Sequence, residues 1–271
     1  MAAHNRDKAS EPASPRVWRS IRLLVLVAGA VCVFALGLFA SQNSWFSRTF
    51  HDSFQSRQDA KARADRQALN KLWADRVVKG GYILHIRHAQ REKWYDSAAF
   101  DAYELAQGID ASTAGFARAT CLTPQGVEEA KLIGNVFRLV GTKVSEVISS
   151  PSCRARQTAQ HAFGDGYKVA NSLLNRTAVM PEQNADFAKA LRALLMSVEV
   201  RPDANVVLTG HGATLFWAGP AVVDEIRMSK RKGRRETGFF VLERKDGRII
   251  AHHRFASIRD FANVLIKLPV N

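Results

Sequence analysis

The chain has 271 residues, with 39 Lys and Arg against 25 Asp and Glu and a formal net charge of +14. That length holds one sizeable α/β domain plus an appendage, and the charge favours anionic partners such as phosphorylated substrates, anionic lipid or nucleic acid. No zinc-finger spacing, RNA-binding aromatic signature or Walker loop occurs, so nucleic acid is not expected.

Residues 1–20 are polar, with Ser and Pro, and read as a disordered cytoplasmic tail. The stretch Leu23–Ala40 is uncharged throughout. As a helix it spans roughly 27 Å, close to a bilayer core of about 30 Å. Trp18 and Trp45 flank it, and Arg16, Arg19 and Arg22 precede it. Residues 21–42 are therefore expected to anchor the chain in a lipid bilayer, N-terminus in the cytoplasm. A cleaved signal peptide is the alternative. The apolar run is longer than a signal core, and Leu38 occupies a position that wants a small residue. The expected location is the inner (cytoplasmic) membrane, single-pass, with everything after residue 45 on the far side.

Residues 43–79 read as a helical linker, with Phe54, Leu69, Leu72, Trp73 and Val77 at roughly helical spacing. Gly80-Gly81 ends it. The domain expected over 80–271 opens with a strand at Tyr82–Arg87. A long polar insertion follows over 89–121, with a helix near Ala98–Ala106. Thr123 as N-cap and Pro124 as first helical residue predict a helix to about Val140. The spacing then predicts a strand at Val144–Ser149, a helix at Cys153–Phe163 and a short strand within 167–174. A helix follows at Ala185–Val198, a strand at Asn205–Thr209 and a helix from about Ala213. A hairpin turns at Asp246-Gly247 between Phe239–Glu243 and Arg248–His253, and Ile258–Lys267 closes the chain as a helix. Strands alternating with amphipathic helices imply α/β architecture: a three-layer α/β/α sandwich with a mostly parallel sheet, preceded by one N-terminal transmembrane helix. Cys32 lies in the apolar run. Cys121 and Cys153 are expected as separate thiols, a disulfide being the alternative in an oxidising compartment.

Three strands end in residues that carry chemistry. YILHI is followed by Arg87-His88, VSEVISS by Pro151-Ser152-Cys153-Arg154, and NVVLT by Gly210-His211-Gly212. Ligand sites of open parallel sheets lie outside the carboxyl ends of the strands, so Arg87, His88, Arg154 and His211 should meet. Two guanidinium groups match the oxygens of a tetrahedral dianion. One imidazole can attack phosphorus, and a second can donate to the equatorial oxygens as charge shifts. Arg156 lies about 200° round its helix from Arg154 and reads as solvated. Gln157, one turn from Arg154, reads as outside the site, with a reach into it as the alternative. His85 reads as a core or supporting residue, and His252 and His253 as part of the edge hairpin.

RHA, SSPSCRARQTA and GHG, in that order and each at a strand end, resemble the histidine phosphatase superfamily, the phosphoglycerate-mutase-like fold, over roughly residues 80–265. The resemblance implies that His88 is the nucleophile that becomes phosphohistidine. It also implies that Arg87 and Arg154 bind the phosphoryl group, that His211 supports it, and that neither cofactor nor metal is needed. Family members supply a general acid from a loop between the second and third motifs, or from a carboxyl group directly after the last His. Gly212 removes the second option. Glu182, after Met180-Pro181 and before a helix, is the favoured acid over Asp165, Asp186 and Glu92.

The function expected is a membrane-anchored phosphomonoesterase acting on a small phosphorylated substrate. Envelope sugar phosphates are the class that an outward-facing enzyme meets, and some anchored family members resemble phosphatases of lipopolysaccharide-core heptose phosphate. A phosphotransferase of the mutase kind and a non-catalytic phosphate-binding membrane module are the alternatives. The basic run Arg227–Arg235 reads as a solvated loop, with a polyanion-attracting rim or a headgroup contact as alternatives.

Overall fold

The computed structural model describes residues 55–92, 120–174, 184–212, 215, 221–227 and 235–266. The expected membrane anchor over 21–42, the insertion helix, the helix from Ala213 and Glu182 lie outside them. Among the described residues no helix is long and apolar enough to cross a membrane. The chain divides into two units, Met1–Ala64 and Asp65–Asn271. In the first, residues 55–64 are helical and exposed.

The second unit opens with helix α1 over 65–79. It continues with β1 (Ile83–Arg87), α2 (Pro124–Leu139), β2 (Val144–Ser149), α3 (Cys153–Phe163) and β3 (Lys168–Val169). Then come α4 (Asn184–Ser197), β4 (Asn205–Gly210), β5 (Glu225–Ile226), β6 (Phe239–Lys245), β7 (Arg248–Phe255) and α5 (Ile258–Leu265). Seven strands form one sheet in the order β3-β2-β4-β1-β6-β7-β5. Strands β3, β2, β4 and β1 run parallel, β6 and β7 form the antiparallel extension, and β5 lies parallel to β7. The sheet is mostly parallel, as expected. The two-residue β5 was not anticipated, because it carries no alternation of its own and exists through its register with Ile250 and Ala251.

Alternating side chains feed two cores, one on each face. Leu84, Ile86, Val207, Phe239 and Val241 pack with Trp73 and Val77 of α1, Ile133 and Phe137 of α2 and Phe261 of α5. Ile83, Val206, Leu208, Phe240 and Leu242 pack with Leu191 and Leu195 of α4. Helices therefore cover both faces, giving the three layers. In α1 the apolar spacing proves narrower than expected: Trp73 and Val77 are buried, whereas Leu69 and Leu72 are 45% and 47% exposed. His252 stacks on Trp73 with ring centroids 4.7 Å apart.

Local signals set the boundaries. Thr123 Oγ1 accepts from the Gly126 amide at 3.0 Å and caps α2 as expected. Ser257 caps α5 in the same way. Asp246 and Gly247 both have positive φ, 51° and 70°, which turns β6 into β7 in two residues.

The expectation of separate thiols is corrected. Cys121 and Cys153 form a disulfide, with Cα atoms 4.9 Å apart, inside the range a bridge spans. Their pairing follows from the path of the segment before α2, which crosses the start of α3. Closing a loop of 32 residues removes unfolded-state entropy. Replacing both cysteines with alanine should lower the unfolding free energy by about 2–4 kcal/mol, read from urea denaturation. An unchanged midpoint would show that the bridge contributes nothing.

Candidate functional site

Parallel pairing places Arg87 of β1 opposite Gly210 of β4. The His88 amide then donates to the Gly210 carbonyl at 2.9 Å. Beyond β2, the Ser150 amide donates to the Thr209 carbonyl at 2.8 Å. Three chain segments far apart in sequence are thereby stitched together where they leave the sheet. His88 and His211 come to lie with ring centroids 5.5 Å apart. Arg154, on the first turn of α3, donates from Nη2 to His211 Nδ1 at 3.3 Å. Arg87, His88, Arg154 and His211 thus gather at one edge of the sheet, and the last three are buried.

The hydrogen bonds assign the ring protons. A carbonyl oxygen only accepts, so His88 donates from Nδ1 to the Ala89 carbonyl at 2.8 Å, and its lone pair lies on Nε2. A guanidinium only donates, so His211 accepts at Nδ1 and carries its proton on Nε2. That nitrogen faces the hydroxyls of Ser150 and Ser152, each 3.3 Å away. Burial, followed by the charges of Arg154 and Arg87, holds the His88 pKa well below the ordinary 6.5. Burial and Arg154 do the same for His211. Two neutral imidazoles therefore stand among cations.

The GHG motif has a steric basis. A Cβ on Gly210 would sit 3.0 Å from His85 Nε2, and one on Gly212 would sit 3.0 Å from Arg87 Cδ. The absent side chains leave room for His85 beneath His211 and for Arg87 beside it. His85 is buried, and among the described residues neither of its ring nitrogens has a hydrogen-bond partner. Burial lowers its pKa to about 4, so it is neutral near pH 7.

A second tier of contacts holds the first. Thr158, one turn beyond Arg154 on α3, donates to the Arg154 carbonyl at 2.7 Å and accepts from the Ala89 amide at 3.0 Å. The Thr120 carbonyl accepts from Arg154 Nη1 at 3.5 Å. The disulfide joins the residue after Thr120 to the residue before Arg154. Gln157 accepts from the Leu122 amide at 2.7 Å and holds that same segment. Arg156, expected as solvated, is partly buried, and its Nε donates to the Pro151 carbonyl at 2.9 Å. Ser150, Ser152 and Thr158 were missed by sequence reasoning. The spacing of Arg154 and Thr158, four apart on one helix face, was the available signal.

The acid candidates separate. Asp165 accepts from Gln160 on the exposed side of α3, and Asp186 lies in the exposed first turn of α4. Glu92 is partly buried just beyond the His88 loop. Glu236 is a carboxylate beside an arginine of the site, 3.8 Å from Arg87 Nη2. No described group of three or more His, Cys, Asp or Glu side chains is placed to hold a metal.

No family model matches the sequence. No curated protein matches it either. Among solved structures, the chain is similar to the protein histidine phosphatase SixA in complex with tungstate. The identity is 16%, over 64% of this chain and 96% of that one, with a TM-score of 0.41. It is similar to a mycobacterial glucosyl-3-phosphoglycerate phosphatase at 16% identity, over 65% and 98%, TM-score 0.44. It is also similar to the phosphoserine phosphatase of Entamoeba histolytica in complex with 3-phosphoglyceric acid, at 16% identity, over 64% and 95%, TM-score 0.39.

The electrostatics make a direct prediction. At pH 6.5, where an ordinary histidine is half protonated, nitrogen NMR of the ligand-free protein should show His88 neutral with its proton on Nδ1. Half-protonation at that pH would contradict the burial and charge argument.

Proposed function

We propose that this protein is a phosphomonoesterase that works through a phosphohistidine on His88. One observation carries the reading. A buried, neutral imidazole, its Nδ1–H tied to the Ala89 carbonyl, stands with its Nε2 lone pair among Arg87, Arg154 and His211.

The chemistry follows from these groups. A phosphoryl dianion is held by the guanidinium groups of Arg87 and Arg154 and by the start of α3. Ser152, at the N-cap position, makes no side-chain cap there and turns its hydroxyl to His211 instead. The neutral Nε2 of His88 attacks phosphorus, a P–N bond forms, and the P–O bond to the leaving group breaks. The Nδ1–H bond to the Ala89 carbonyl disperses the positive charge that grows on the ring. His211 supports the phosphoryl group through its neighbours: Nδ1 holds the Arg154 guanidinium and Nε2–H orders the Ser150 and Ser152 hydroxyls. Glu182 supplies the proton that the departing alkoxide takes up. Water then attacks phosphorus and gives its proton to the Glu182 carboxylate, the P–N bond breaks, and inorganic phosphate leaves with His88 and Glu182 restored.

The catalytic domain occupies 80–271, and residues 21–42 anchor it in the inner membrane with the domain outside the cytoplasm. The Cys121–Cys153 bridge supports that placement, since structural disulfides persist in oxidising compartments. Phosphorylated envelope sugars are the substrate class such an enzyme meets.

The test uses the full chain in detergent with aryl and alkyl phosphomonoesters. His88→Ala should abolish turnover and the acid-labile phosphate formed on rapid quenching. Arg154→Ala should lower kcat/KM by about 10²–10³-fold, in line with losing a charged donor in a water-poor site. Glu182→Gln should slow alkyl esters far more than aryl esters, whose leaving groups need no proton. Wild-type levels of phosphoenzyme in His88→Ala would overturn the reading, and equal slowing of both ester classes would remove Glu182 from the acid role.

A further inference from the structure

One arginine of the site is set at both ends of its side chain by a single covalent link. Arg154 follows Cys153 at the start of α3, and its guanidinium is buried. Nη2 donates to His211 Nδ1 at 3.3 Å, and Nη1 donates to the Thr120 carbonyl at 3.5 Å. Thr120 immediately precedes Cys121. The Cys121–Cys153 bridge therefore fixes the backbone from which Arg154 springs and also the carbonyl that receives one arm of its fork. Thr120 and both cysteines are buried, so this linkage lies beneath the surface beside the site.

Loop closure alone would stabilise the fold wherever the bridge lay. Its place is what distinguishes it. Residues 121–123 lie in no helix and in no strand of the sheet. Spaced contacts hold them. The Leu122 amide donates to Gln157, Leu122 pairs with Arg91 in an isolated β-bridge, and the Thr123 amide donates to the Gln90 carbonyl at 3.1 Å. These contacts lie on the other side of Cys121 from Thr120, and the bridge is the covalent tie that sets Thr120 against α3. An arginine head sits on a long stem with much rotamer freedom to lose. His211 holds one arm from β4, and the bridged segment holds the other. Were that segment to shift, the fork would no longer be set for two oxygens of a phosphoryl group, and displacements of about 1 Å are costly in such sites.

We propose that the Cys121–Cys153 disulfide positions Arg154 for phosphoryl binding, over and above the stability it gives the fold. The inference rests on the phosphoryl-binding reading of Arg154. Neither sulfur touches the substrate, and the bridge acts through the guanidinium alone. The site is then complete only in the oxidised chain. Opening the bridge leaves every residue that meets the phosphoryl group present, but with Arg154 mis-set.

A double-mutant cycle separates positioning from stability. The full chain in detergent is titrated calorimetrically with inorganic phosphate at 10 °C, a temperature chosen to keep the weakened variants folded. Cys121→Ala/Cys153→Ala should bind phosphate about tenfold more weakly than the wild type. In an Arg154→Ala background, removing the bridge should change the affinity by less than about twofold, because the group it positions is gone. Leu195→Ala, which opens a cavity in the core under α4, is the stability control and should bind phosphate as the wild type does. Reduction of the folded wild-type bridge to two thiols by a water-soluble phosphine, which leaves as its oxide, should give the same tenfold loss. That route covers a paired variant that fails to fold. Unchanged affinity without the bridge would overturn the positioning role, as would an equal loss in Leu195→Ala or a tenfold loss that persists without Arg154. Arg154→Ala binding phosphate as tightly as the wild type would instead overturn the phosphoryl reading, and this inference with it.

Discussion

The parallel pairing of β1 with β4 is the constraint on which the site depends. It sets Arg87 level with Gly210 and lets the His88 amide bond to the Gly210 carbonyl, so the two chain ends turn away from the sheet side by side. A slip of one residue would send every side chain of β1 to the opposite face. His85 would leave its place under Gly210, and Leu84 and Ile86 would leave the core they share with Phe239 and Val241. The same apolar alternation that stabilises the fold therefore aims the chemistry. Both central strands are buried on both faces, so the register has little freedom.

Around that frame the electrostatics are arranged in one direction. Burial and neighbouring guanidinium groups both disfavour a charged imidazole, and His88 and His211 stay neutral. Backbone carbonyls and hydroxyls, rather than carboxylates, orient the rings: Ala89 for His88, and Ser150 and Ser152 for His211. A carboxylate in either place would compete with a phosphoryl group for Arg154.

Much of this was legible in the residues before any coordinates. Apolar alternation located the central strands, and the strand-end rule brought Arg87, His88, Arg154 and His211 together, because strands alternating with helices run parallel and end on one side of the sheet. What escaped depended on how segments cross. The bond from Thr158 to Ala89 and the clamp from Gln157 to Leu122 join residues whose proximity no local pattern encodes. The pairing of Cys121 with Cys153 turns on a Cα separation of 4.9 Å, which spacing in sequence cannot reveal. In α1, Leu69 and Leu72 fit a helical stripe by spacing yet face solvent, because the buried stripe is only as wide as Trp73, Ala74 and Val77.

The bridge between Cys121 and Cys153 also changes what backbone cleavage can do. The loop it closes contains α2 and β2, a helix and a strand that supply Ile133, Phe137 and Ile148 to the two cores. A protease that nicked this loop once would leave both fragments covalently joined, with the arginine-bearing turn of α3 still fastened to the segment that precedes α2. Such a nicked molecule would migrate as a single species until a reductant was added, and only then part into two.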